Sequence, residues 1–212
     1  MTSSRIRAAV AGAVLATVLT VTGGATAQAQ PQAVPPVDHN CLSPSGTNLN
    51  TLLDIRERVI GPPACREAFA GERWVRSFPS WGTAPDAESA VYPAGYTPSR
   101  VNPMDDFISK FRGVRIVQDI GTRQERSYTF GPEALRLVAV EDGIPFAFFA
   151  SPALRPLSVG PHTTSVFMRL SEQHCDGLGT NSEENCLPGG EFPYHANVPI
   201  TFFPRNAVPP RS

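Results

Sequence analysis

The chain has 212 residues, with 18 Lys or Arg against 19 Asp or Glu, for a formal charge of −1. A balance so close to neutral, with Lys110 the only lysine, argues against nucleic acid or an anionic membrane surface as a partner. The 22 prolines and 17 glycines predict frequent turns and short regular elements. Residues 1–29 read as a secretory signal peptide. Arg5 and Arg7 form a basic start, residues 8–21 are apolar apart from Gly and Thr, and Ala25, Ala27 and Ala29 place cleavage near Ala27 or Ala29. The apolar run is shorter than the roughly 20 residues that cross a bilayer, so no membrane span is expected. Removing 29 of the 212 residues leaves 183, a length suited to one domain with one core.

Residues 30–48, with Pro31, Pro35, Pro36, Pro44 and Gly46, have the composition of a flexible Pro-rich arm. Next, Leu49, Leu52, Leu53, Val59 and Ile60 fit one helical face and Gly61-Pro62-Pro63 ends it, which predicts a helix over about 49–60. A second helix is predicted over 103–112. Asn102 is its N-cap, Pro103 its first residue, and Met104, Phe107, Ile108 and Phe111 its buried stripe, with Gly113 as the stop. Asp105 and Asp106 fall in its first turn, where capping and the helix dipole account for both. Strands are expected at 73–78, 114–119, 126–130, 135–140, 146–150, 162–170 and 197–203, with Glu141-Asp142-Gly143 a tight hairpin turn. The fold class is therefore mostly β: an antiparallel β-sandwich or jelly-roll-like domain over 49–204, with one or two short helices, before a disordered tail at 205–212.

Four cysteines, Cys41, Cys65, Cys175 and Cys186, lie beyond the signal, where an oxidising compartment makes two disulfides the default. Three pairings exist, and proximity favours Cys41 with Cys65 and Cys175 with Cys186. The stretch Pro156-Leu157-Ser158-Val159-Gly160-Pro161-His162-Thr163 resembles a P-L-x-x-G-x-H-T motif of uncharacterised secreted β-sandwich proteins from high-GC Gram-positive bacteria. Residues 102–117 and the segments around Cys175 and Cys186 are similar to such proteins as well. The resemblance implies export and a sandwich fold, and it brings no activity with it.

Candidate site residues are few. Trp74, Trp81, Tyr92 and Tyr96 could present rings to a carbohydrate, and His162 and His174 could serve as ligand-binding groups. Asp176, Asn181 and Glu183, in the acidic loop between the last two cysteines, could supply oxygens to calcium, although their spacing departs from the EF-hand loop. No nucleophile elbow, metalloprotease helix, P-loop or dinucleotide fingerprint occurs. The leading expectation is a secreted, non-enzymatic protein that binds a cell-envelope glycan or protein, or another extracellular ligand. A secreted polysaccharide hydrolase or lyase, pairing His162 or His174 with Asp176 or Glu191, and a structural surface protein are the alternatives.

Overall fold

The computed structural model describes residues 41–43, 46–61 and 64–205; the expected signal peptide, most of the expected arm and the tail from 206 lie outside the described residues. The elements run in chain order as follows: α1 (Leu49–Leu52), β1 (Arg58–Ile60), β2 (Glu67–Phe69), β3 (Trp74–Gly82), α2 (Pro103–Lys110), β4 (Phe111–Gln118) and β5 (Arg126–Phe130). After a 3-10 turn at Pro132–Ala134 come β6 (Leu135–Glu141), β7 (Ile144–Ala150), β8 (Gly160–Leu170), β9 (His174–Cys175), α3 (Ser182–Asn185), β10 (Cys186–Leu187) and β11 (Gly190–Phe203). The mostly β class with short helices is what the sequence predicts.

Two main sheets carry the fold, a four-stranded one in the order β1-β3-β7-β6 and a five-stranded one in the order β2-β11-β8-β4-β5. Both are mixed rather than purely antiparallel, because β1 runs parallel to β3 and β2 parallel to β11. Alternation in the strands explains how the sheets pack. In β7, Ala147 and Phe149 enter the large core shared with the five-stranded sheet, while Phe148 and Ala150 enter a smaller core on the opposite face. Trp74 packs edge-on against Phe202 and Phe78 against Tyr194, so the large core joins the two sheets directly. The smaller core collects Cys41, Leu49, Leu53, Ile55 and Val59 over the other side of β3 and β7.

The expected helix over 49–60 is a single turn followed by a strand. Asn48 caps α1 by accepting from the Thr51 N–H, but the Asn50 amide donates to the carbonyls of Ile55 and Glu57 and its oxygen accepts from the Cys41 N–H. A polar side chain has replaced the helical ladder, Asp54 turns the chain with φ of 50°, and the β-branched Val59 and Ile60 settle into β1. Leu49, Leu52, Leu53 and Val59 do share the smaller core, but Ile60 alternates into the large one, as a strand rather than a helix requires.

The expected helix over 103–112 ends two residues early, at Lys110, and Phe111 opens β4. Gly113 is not its C-cap. It sits at a register shift in β4 with φ of 119°, where a Cβ would lie 2.0 Å from the Phe130 carbonyl oxygen. The N-cap is as expected, with the Asn102 side chain accepting from the N–H groups of Met104 and Asp105. Asn102→Ala should therefore lower stability by about 1 kcal/mol, read as a shift in the denaturant midpoint with an unchanged slope. β11 is longer than the expected 197–203, running back to Gly190 through Pro193, and it carries Pro199 as well. Both lie where β11 lacks a second neighbour, since β2 pairs only with Thr201–Phe203, so a missing N–H breaks no ladder bond there.

The disulfides are Cys41–Cys65 and Cys175–Cys186. The first ties the chain before α1 to the segment after β1, and the second bridges the registered pair of the small β9–β10 hairpin. Thiols oxidised in this way point to an oxidising compartment. Among the described residues no helix is long and apolar enough to cross a membrane.

Candidate functional site

Three polar arrangements stand out, and two of them hold the fold. The first is built on Asp106, whose side chain is wholly buried. Its Oδ1 accepts from the N–H groups of Ser99 and Arg100 at 2.7 and 3.1 Å. Its Oδ2 accepts from Tyr96 Oη at 2.9 Å, His174 Nδ1 at 2.8 Å and Lys110 Nζ at 2.9 Å. Burial works against the charged carboxylate, but the bonds from Lys110, His174 and Tyr96 outweigh it and hold the carboxyl well below its usual range. Burial pushes His174 down to about 4, so the neutral ring donates through Nδ1 and leaves Nε2 buried without a partner. Lys110 donates its remaining protons to Tyr96 Oη and the Gln173 carbonyl, both at 3.0 Å. A hollow of about 510 Å³ beside it is lined by Tyr96, Ser99, Lys110 and Glu172, but Lys110 is already fully engaged and offers a ligand nothing.

The second joins Asp119, His162 and Ser158. His162 Nδ1 donates to Asp119 Oδ2 at 2.7 Å, and Asp119 Oδ1 accepts from the Thr163 N–H. The order resembles a serine–histidine–aspartate relay. However, Nε2 lies closer to the Ser158 carbonyl oxygen, at 3.0 Å, than to the Ser158 hydroxyl, at 3.3 Å. The Nε2 edge is therefore shared with a backbone carbonyl rather than aimed at the hydroxyl as a proton relay requires. The trio clasps the turn before β8 to Asp119, whose φ of 49° ends β4. The carboxylates expected for these histidines, Asp176 and Glu191, are not their partners; Glu191 instead pairs with Arg115 at 2.6 Å on the outer face of the five-stranded sheet.

The third is an open cleft of about 410 Å³. Trp81, Phe146 and Tyr194 form its aromatic wall, Ile144 and Leu178 its apolar rim, and Asp176 and Glu184 its acidic side. A register shift in β3 between Pro79 and Trp81 takes Trp81 off the strand's alternation, a common use of a bulge. The Trp81 ring is half-buried edge-on to Tyr194, and its indole N–H has no partner. Gly82 lets the hairpin approach, since a Cβ there would meet the Phe146 ring at 2.6 Å. Asp176 is held by the disulfide hairpin: its backbone carbonyl accepts from Ala84, its Oδ1 from the Leu178 N–H, and its Oδ2 from Asn185 Nδ2. Burial raises the Asp176 carboxyl above its ordinary value.

The other sequence candidates divide plainly. Trp74 is 0% exposed in the large core with its N–H given to the Arg155 carbonyl, so it offers no face to a sugar. Tyr92 and Tyr96 stack on one another at 5.3 Å and 45°, with the Tyr92 hydroxyl buried, so they form no flat platform. His162 and His174 belong to the two internal arrangements. Asn181 uses its oxygen to cap α3 by accepting from the Glu183 N–H, and Glu183 is exposed. Among the described residues no group of three or more His, Cys, Asp or Glu side chains is arranged to hold a metal ion. Sequence reasoning missed Asp106, Lys110 and Asp119 as hubs, and it missed Phe146 and Tyr194 as walls of the cleft, because only the fold brings them to their partners. No family model, no curated protein and no solved structure matches the chain.

Proposed function

We propose that the protein is exported after signal-peptide cleavage near Ala27 or Ala29 and binds a cell-envelope glycan without modifying it. The observation that carries this reading is the cleft that sets Trp81 and Tyr194 beside Asp176 and Glu184. An aromatic face stacks on the apolar side of a sugar ring while nearby carboxylates accept its hydroxyls. The volume of about 410 Å³ lies inside the range of small-molecule sites. The two disulfides fit an extracellular setting, as does the resemblance of the Pro156–Thr163 stretch to secreted bacterial proteins.

Calorimetric titration with soluble peptidoglycan fragments and neutral cell-wall oligosaccharides tests it. Trp81→Ala should weaken the best ligand by about 2 kcal/mol, roughly 30-fold. Glu184→Gln, at an exposed position, should weaken it less and leave the fold untouched. Absence of binding to every envelope fraction by the oxidised protein would overturn the reading.

A further inference from the structure

The core between the two sheets contains a charge without a counterpart. Arg76 stands on β3 between Trp74 and Phe78 and is 0% exposed. Its Nη1 donates to the carbonyls of Ile60 and Ser77 at 3.3 and 3.5 Å, and the guanidinium carbon lies 5.2 Å from the centre of the Phe78 ring. Nε and Nη2 have no partner, and among the described residues no carboxylate pairs with Arg76. Burial, with the charge of Arg66 adding to it, brings the group down to about 9, which still leaves it charged at neutral pH. An isolated buried charge is costly, and native interiors compensate it with an opposite charge and hydrogen bonds.

The unpaired atoms are not scattered at random. Gln118 Nε2 and Oε1, Thr164 Oγ1 and His195 Nδ1 are also buried without partners. Gln118 and Thr164 are register partners across β4 and β8, and by alternation they share the inward face with Ile116 and Val166 of the large core. Thr164 pairs in turn with Val198 of β11, close to His195 in a stretch with two register shifts. The His195 ring lies 5.2 Å from Phe78, the ring on which Arg76 rests, and burial together with the Arg76 charge pushes it down to about 4. His195 is therefore neutral and supplies no negative charge to Arg76.

The two free donors of Arg76 are the side-on edge of the guanidinium, whose N–H bonds run parallel at the spacing that the two oxygens of a carboxylate accept. We propose that the interior between the two sheets binds a small oxyanion, a carboxylate held side-on by Nε and Nη2 of Arg76, with Gln118 and Thr164 of the facing sheet as its further polar partners. The glycan reading is not needed for this, and Trp81→Ala should leave it unaltered.

The test uses the oxidised full chain, with thermal midpoints measured at pH 7 and matched ionic strength in formate, acetate, succinate, phosphate or chloride. Formate or acetate should raise the midpoint by several degrees in a saturable manner, with chloride inert and the response absent in Arg76→Met. A response to phosphate but not to the carboxylates would uphold the oxyanion site and make an inorganic ion its occupant. Midpoints that track ionic strength alone, or a carboxylate response retained by Arg76→Met, would overturn it. If Arg76→Met does not fold, Gln118→Leu carries the test: a weakened carboxylate response is expected, and an unchanged one counts against the site.

Discussion

Reduction of both disulfides should unfold the domain near physiological temperature. Cys41–Cys65 spans 24 residues and Cys175–Cys186 spans 11, and by chain entropy the two closures are worth roughly 3.5 and 3 kcal/mol. Together they approach the whole stability of an ordinary domain, about 5–15 kcal/mol. The two bridges should also be separable. Cys41 is buried among Leu49, Leu53 and Val59, so replacing Cys41 and Cys65 by Ser loses packing as well as the crosslink and should lower the melting temperature more. Replacing Cys175 and Cys186 releases the hairpin that carries His174 and positions Asp176, so it should weaken the proposed glycan binding at the cleft beyond its effect on stability. Thermal unfolding with and without reductant reads the first difference, and titration of the two double variants reads the second. A reduced protein that melts within a few degrees of the oxidised one would contradict the argument.

The same bridges show what a sequence can and cannot disclose. The cysteine pairing was legible because both loops are short, and the alternating strands were legible because a two-residue period needs no knowledge of the partner strand. The Glu141-Asp142-Gly143 turn was legible too, since Asp142 and Gly143 both take positive φ, at 52° and 81°, as a two-residue hairpin demands. What stayed hidden was non-local. Asn50 broke the first helix through bonds to Cys41 and to the chain beyond it, and nothing in the apolar spacing reports an amide's hydrogen bonds. The cleft was half legible. Trp81 and Asp176 were singled out, but Phe146 and Tyr194 meet them only because β3, β7 and β11 converge at one edge of the core. Trp74, as good a candidate by residue type, was excluded by a burial that spacing alone cannot reveal.

Asp106 is where that non-local information has its largest energetic consequence, and Asp106→Asn should cost about 3–5 kcal/mol. Its neighbour Asp105 shares the same helical turn but is exposed, so Asp105→Asn should stay within about 0.5 kcal/mol. The difference follows from what each loss leaves behind. Without the Asp106 charge, the Lys110 ammonium, only 3% exposed, remains buried with no carboxylate closer than Glu172 at 3.7 Å. An amide keeps a single acceptor oxygen, so either Tyr96 and His174 or the N–H groups of Ser99 and Arg100 lose their acceptor and face an NH2 donor instead. Replacing Lys110 as well, by Met, should recover part of the loss because the uncompensated charge is then gone. The pH profile separates the contributions. His174 sits at about 4 in the fold against 6.5 unfolded, so the unfolded chain takes up the extra proton and stability should fall as pH drops from 6.5 to 4. Asp106 is depressed in the fold, so its contribution is present above the unfolded value of about 3.9 and fades only as pH falls below that toward its folded value. Asp106→Asn should therefore remove the decline below pH 4, and His174→Gln should flatten the decline above it. Denaturant titrations across pH 2–7 measure both. If Asp106→Asn proves as stable as the parent at neutral pH, the buried carboxylate is not what holds α2 to the β9–β10 hairpin.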